Sequence, residues 1–257
     1  MEFDLVAYES FREMIDLRDL YVEALEVYNS AVDEVKVKNF TSFFENIYPH
    51  IFARDTTKGS FYETQFDHMK LFAMELVIYT VAIFMKFEHY KVIEQFIKYH
   101  YFVTSRTEGE VHGNIGIFQF YPEAIVNYTK RQKEWISPIG EIIIQRATHP
   151  GYDASALIQA DLLIYMLMYF YDIVDDYKVW YPDTYPYIRP DKIPFLRRLR
   201  QKSHFEEVKS LFGVKDSEEM KQKVIGFIQY TKENFRHNGR SGISGLSYLE
   251  PEEINKY

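Results

Sequence analysis

Asp172, Asp175 and Asp176 stand at i, i+3 and i+4, a spacing that gathers three carboxylates on one face at the end of a helix. Such a face could hold magnesium, which favours carboxylate oxygens together with substrate phosphates. The plainer reading is a solvated acidic end on an otherwise apolar helix. Two Arg–His pairs share another spacing, Arg106 with His112 and Arg198 with His204. In each, an imidazole could act as acid or base while a guanidinium stabilises charge developing on a phosphate. The pattern is loose, because a chain with 8 histidines and many arginines produces such pairs by chance, and Arg106 to His112 lies in a glycine-rich run. His149, with Arg146 and Asp153 near, offers a small polar site at a helix N-terminus, where anions are favoured. The simpler alternative has Arg146, Thr148 and Asp153 satisfying backbone groups at a tight turn. Lys192, Arg197, Arg198, Arg200 and Lys202 form a basic cluster suited to nucleic acid, to a partner protein or to the chain's own acidic helices. Trp180, Tyr181, Tyr185, Tyr187 and Arg189 combine the residue types that protein interfaces favour, among prolines that stiffen the backbone.

Composition narrows these chemistries. Cysteine is absent, which removes disulfides, thiolate metal sites and thiol nucleophiles and fits a reducing, cytoplasmic setting. The first residues, Glu2, Phe3 and Asp4, lack the basic and apolar segments of a signal peptide. A net charge of −8 disfavours nonspecific attraction to nucleic acid or anionic lipid. No Walker A loop, GxGxxG, GxSxG or HExxH occurs in the sequence, so no cofactor is called for.

The elements that must position these residues read as helices. Apolar residues make up 47% of the chain and aromatics 18%, enough for a substantial core dense in ring contacts. Residues 9–28 show mixed three- and four-residue apolar spacing and predict one helix with a buried stripe. A short helix over 39–48 and a turn-rich loop over 54–60 follow. Residues 62–87 are apolar nearly all round, which marks a covered central helix; Glu75 and Lys86 interrupt it and argue against a membrane span. With an amphipathic segment over 91–101 it forms a helical hairpin turning near 87–90. Gly109, Gly113 and Gly116 predict a long loop over 104–116, and 142–145 reads as a helix end or a brief strand. Asp153 is placed to cap a helix running from 154 to about 176. Pro182, Pro186, Pro190 and Pro194 make a rigid connector over 180–194. Ser203 with Glu206, and Asp216 with Glu219, have capping-box spacing; Gly213 suits a helix C-terminus. Helix from 217 to about 235 leads into glycines that predict a mobile tail over 238–257.

Three resemblances bear on function. The acidic cluster is similar in kind to the aspartate-rich helices of all-helical prenyl-diphosphate enzymes, although its order is DxxDD and not DDxxD. Both Arg–His pairs resemble the motif of metal-independent HEPN-type ribonucleases, which implies RNA cleavage through Arg106 and His112 or Arg198 and His204. The segments at 59–65, 145–152 and 195–212 resemble helical regions of bacterial antiphage-defence proteins, which implies a sensor or assembly module beside a separate effector. The reading as a whole is an all-α, multi-helix bundle of stacked helical hairpins with a proline-rich connector. It forms one helical domain over 1–257, divisible into 1–103 and 117–237. Its expected role is noncatalytic, binding a protein partner or itself through the aromatic connector, with ribonuclease activity the alternative.

Overall fold

The computed structural model describes residues 2–31, 36–52, 62–105, 109–174, 179–237 and 240–257, so the loop expected over 54–60 lies outside the described residues. The chain is mostly helical, as its periodicity predicts. Two helices replace the single one expected over 9–28: α1 (Glu2–Glu13) and α2 (Ile15–Ala31) part at Met14. At the break the carbonyl of Phe11 accepts from Met14 N, and the carbonyls of Phe11 and Arg12 both accept from Nη1 of Arg146, which explains how a buried helix end is tolerated there.

α3 (Val37–Ile47) packs aromatic rings against α2, with Tyr21 stacked on Phe43 and Tyr28 edge-on to Phe40. α4 (Asp67–Lys86) is buried on every side, because its sequence leaves no polar face to give to water. Residues Glu63–Lys86 are long and apolar enough to cross a bilayer, and 72% of their apolar 18-residue stretch is buried inside the bundle. α5 (Tyr90–Lys98) returns beside α4, the hairpin the sequence predicts. Its turn is a Schellman motif: Glu88 adopts φ 58°, and the amide of His89 donates to the carbonyl of Phe84.

The glycine-rich break is not a loop. β1 (Tyr101–Ser105) and β2 (Gly109–Gly113) pair antiparallel, Phe102 opposite His112. Alternation decides it: Tyr101, Val103 and Val111 turn into the core while Phe102 and His112 face out. Beyond it, α6 (Glu123–Gln132) lies on α1, and α7 (Pro138–Gln145) settles 142–145 as a helix end, capped at its start by Ser137.

α8 (Ala154–Phe170) is the second central helix, capped by Asp153 and packed along α4. It stops six residues before the predicted end. Asp172 takes φ 54° and closes another Schellman motif, with Asp172 N donating to Tyr169 O and Ile173 N to Met168 O. After the connector come α9 (Pro194–Arg197), α10 (Lys202–Val208) and α11 (Ser217–Asn234). Ser203 lies inside α10 and does not cap it; the leading amide, Lys202 N, donates to Tyr257 O instead. Asp216 does cap α11, accepting from Glu219 N at 2.9 Å. Gly213 has the left-handed geometry expected of it.

β3 (Arg236–His237) and β4 (Arg240–Ser241) form a minimal ladder, and 3-10 turns come next at Ser244–Leu249 and Pro251–Glu253. Residues 240–257, expected to be mobile, fold back on the bundle. Ile243, Leu246, Leu249 and Ile254 are buried, and the amides of Asn255, Lys256 and Tyr257 donate to Leu199 and Arg200. One connected set of buried side chains runs from Ala7 to Ile254.

Candidate functional site

The proline-rich connector lies across the start of α7, along α8 and near the end of α11. Burial of one side chain organises it. Trp180, expected at an interface, is fully buried, and its indole donates to Oδ1 of Asp161 at 2.7 Å. The other oxygen of Asp161 accepts from the amide and the hydroxyl of Thr184, at 2.9 and 2.7 Å. A buried carboxylate thus fixes both ends of the segment 180–184, and Trp180 is withdrawn from any partner. Its apolar body goes to the core because a polar handle waits there.

Burial raises the pKa of Asp161 to about 6 against the three donors that favour its charge. Asp183, which accepts from Gln119 Nε2 at 3.0 Å, is pushed up to about 8 by burial and by the charge of Asp161. The connector's backbone also touches α7 closely. A Cβ on Gly140 would stand 2.1 Å from the carbonyl oxygen of Asp183, so glycine there permits the contact.

The other expected contact residues lie on the outer side of this anchor. Tyr181 is 46% exposed yet held in place, its ring 6.1 Å from Tyr165 and 5.8 Å from Phe235. Tyr185 is half-buried and meets Phe235 edge-on at 4.5 Å. Tyr187 is half-buried, its hydroxyl bonded to Glu141, and Arg189 is exposed. The connector therefore presents the edges of Tyr181, Tyr185 and Tyr187 with Arg189.

The phosphate-directed candidates meet different surroundings. His204 is buried, its Nε2 is 3.0 Å from the carbonyl oxygen of Phe195, and burial and Arg198 hold its pKa below the usual value. Arg198 is exposed beside Arg197 and Arg200 in an open groove of about 460 Å³ with Asp191 and Tyr257. Arg200 is partly neutralised by Glu250 at 3.0 Å. Lys192 is half-buried and Lys202 is exposed. His112 projects from the hairpin, its ring 4.8 Å from Phe102, while Arg106 lies outside the described residues. Asp172 is exposed past the end of α8 in a left-handed conformation, so it does not share a helical face with the residues after it; Asp175 and Asp176 lie outside the described residues. Among the described residues, no group of three or more His, Asp or Glu side chains could hold a metal ion.

The most developed polar assembly went unread in the sequence. Glu75, buried in α4, receives Nε and Nη2 of Arg146, both at 2.9 Å, and stands 3.6 Å from Arg18. Arg18 is itself fully buried, donates to the carbonyl of Arg146, bonds Asp19 at 2.7 Å and lies over the ring of Tyr79. Arg146 covers the ring of Phe11. The interruption of an apolar run by Glu75 was the available signal. An open cavity of about 490 Å³ abuts this triad, lined by Tyr8, Glu9, Arg12 and Glu13. The triad's ion pairs and hydrogen bonds run within the protein, which gives it a structural role. At the same turn Thr148 bonds the carbonyl of Arg146 and Asp153 caps α8, as the simpler alternative expects, but the Arg146 side chain leaves the turn for Glu75 and α1, and Nδ1 of the buried His149 has no hydrogen-bond partner among the described residues.

Comparison with family models, curated proteins and solved structures yields no match to this chain.

Proposed function

We propose that this chain is a noncatalytic helical module that binds a protein partner or a second copy of itself through the outer edge of the connector. The observation that carries this reading is Tyr181, a large ring left 46% exposed and yet immobilised against Tyr165 and Phe235. A rigid aromatic loses little conformational entropy on binding, and Tyr with Arg dominates the energetic centres of interfaces. Arg189 supplies the cation nearby, on a backbone stiffened by Pro186 and Pro190. Among the buried ionisable groups, Glu75, Arg146, Arg18, Asp161 and His204 support the same reading, each having a bonding partner within the fold. The resemblance to antiphage-defence helical regions adds a role as sensor or assembly partner.

The test is association itself. Sedimentation across a concentration series, and cross-linking in cells followed by identification of the captured protein, should each respond to Tyr181→Ser with Arg189→Ser. A monomer at all concentrations, with captured proteins indifferent to both substitutions, ends the proposal.

A further inference from the structure

α2 has two apolar faces, and only one is used. Arg18, Val22, Leu25 and Asn29 turn into the bundle. Opposite them, Leu17, Leu20, Ala24, Val27 and Ala31 are all exposed, Leu17 at 56%, Leu20 at 63% and Val27 at 67%. These positions step by three and four residues in alternation, the a/d repeat of a coiled-coil seam. Leucines and a valine left in water at that period form the complement of another helix, not scattered surface hydrophobes.

The acidic edge of the stripe says which helix. Asp16 and Glu23 are exposed, stand seven residues apart on one side of the seam, and pair with no cation among the described residues. The neighbouring acids Asp19 and Glu26 are already engaged by Arg18 and Lys86. A second copy of α2 fits poorly. Antiparallel about Ala24 it would set Glu23 beside its own counterpart, and parallel it would set both carboxylates against Tyr21 and Tyr28.

We infer that the outward face of α2 is a docking seam for a single amphipathic helix of a partner protein, one whose apolar stripe is flanked by lysine or arginine. This rests on the interaction-module reading but uses a surface distinct from the connector. Helix-in-groove recognition supplies the apolar anchors, and the basic flank meets Asp16 and Glu23.

The probe is a synthetic helical peptide of about three heptads with leucine at a and d and lysine on the flanks, compared with its glutamate-flanked counterpart by fluorescence anisotropy on the full chain. The lysine peptide should bind at least about tenfold tighter than the glutamate peptide, and Leu20→Ser with Val27→Ser should weaken it by about tenfold or more. Both positions are exposed, so the variants should keep the parent's circular dichroism melt. Asp16→Asn with Glu23→Gln should erase the preference for lysine. Equal binding of the two peptides, or binding that survives the serine variants, overturns the inference. So does a dimer in sedimentation that the serine variants dissociate, because a second copy then fills the seam. Loss of association in the Tyr181 variant without loss of peptide binding leaves the seam intact. Peptide indifference with Tyr181-dependent association removes the seam and keeps the module.

Discussion

Arg146 grips both carboxylate oxygens of Glu75 at 2.9 Å across 71 residues of sequence, joining the end of α7 to the middle of α4. Its remaining terminal nitrogen bonds the carbonyls of Phe11 and Arg12. One guanidinium therefore ties three elements at the point where the N-terminal helix breaks. The planar fork of arginine makes this geometry available, whereas a lysine ammonium has no second arm.

Removing the charge of Glu75 should be severe. Glu75→Gln leaves Arg146 buried with no carboxylate and Arg18 with Asp19 alone, and breaking a buried pair in this way costs about 3–5 kcal/mol. Arg146→Lys should also destabilise, because it forfeits the paired bonds to Glu75. Urea denaturation of the two variants and the parent measures both losses.

Stability should depend on pH through the connector. Asp161 and Asp183 hold protons more tightly in the folded chain, at about 6 and about 8, than an unfolded aspartate near 3.9 does. The folded state thus carries the extra proton over this range, and its stability falls as pH rises from about 4 toward about 8. Asp183→Asn keeps an acceptor for Gln119 and should remove the upper part of that fall. The difference in thermal midpoint between variant and parent should therefore grow toward alkaline pH.

Glu88 at φ 58° and Asp172 at φ 54° close helix ends in left-handed conformations that glycine would adopt without strain. Left-handed geometry costs a residue with a Cβ about 1–2 kcal/mol, partly offset by the greater unfolded freedom of glycine. Glu88→Gly and Asp172→Gly should each stabilise, by up to about 1 kcal/mol in chemical denaturation.

The contact between α7 and the connector should refuse a methyl group. Gly140→Ala places a Cβ 2.1 Å from the Asp183 carbonyl oxygen, a backbone atom that cannot swing aside. Overpacking of this kind costs about 1–3 kcal/mol. Gly226→Ala is the milder comparison, since the nearest atom it meets is the Tyr169 hydroxyl at 2.7 Å, a side-chain atom and not backbone. Thermal melts of the two variants should rank in that order.

Local signals in the sequence were enough for the central helices. α4 and α8 are apolar on every side, and a helix without a polar face has to be covered wherever the rest of the chain goes. The caps at Asp153 and Asp216 and the left-handed Gly213 were equally legible, because donor and acceptor lie within three residues or the backbone demand falls on one residue. The same locality explains where periodicity misleads. Among the described residues Gly213 marks a Schellman turn that glycine flags, but Glu88 and Asp172 occupy two others, so the end of α8 carries no flag and the spacing of the acidic cluster extends a helix that has already stopped.

What the tertiary structure decided involves partners distant in sequence. Whether Trp180 faced a partner or the core depended on Asp161 in another element, and whether residues 104–116 looped or paired depended on a core able to receive Val103 and Val111. The split between α1 and α2 required Arg146 to bond the carbonyls of Phe11 and Arg12. Periodicity and capping are properties of neighbouring residues and can be read along the chain. The satisfaction of a buried charge or an orphaned backbone group is a property of the packed whole, and it exists only after distant segments have met.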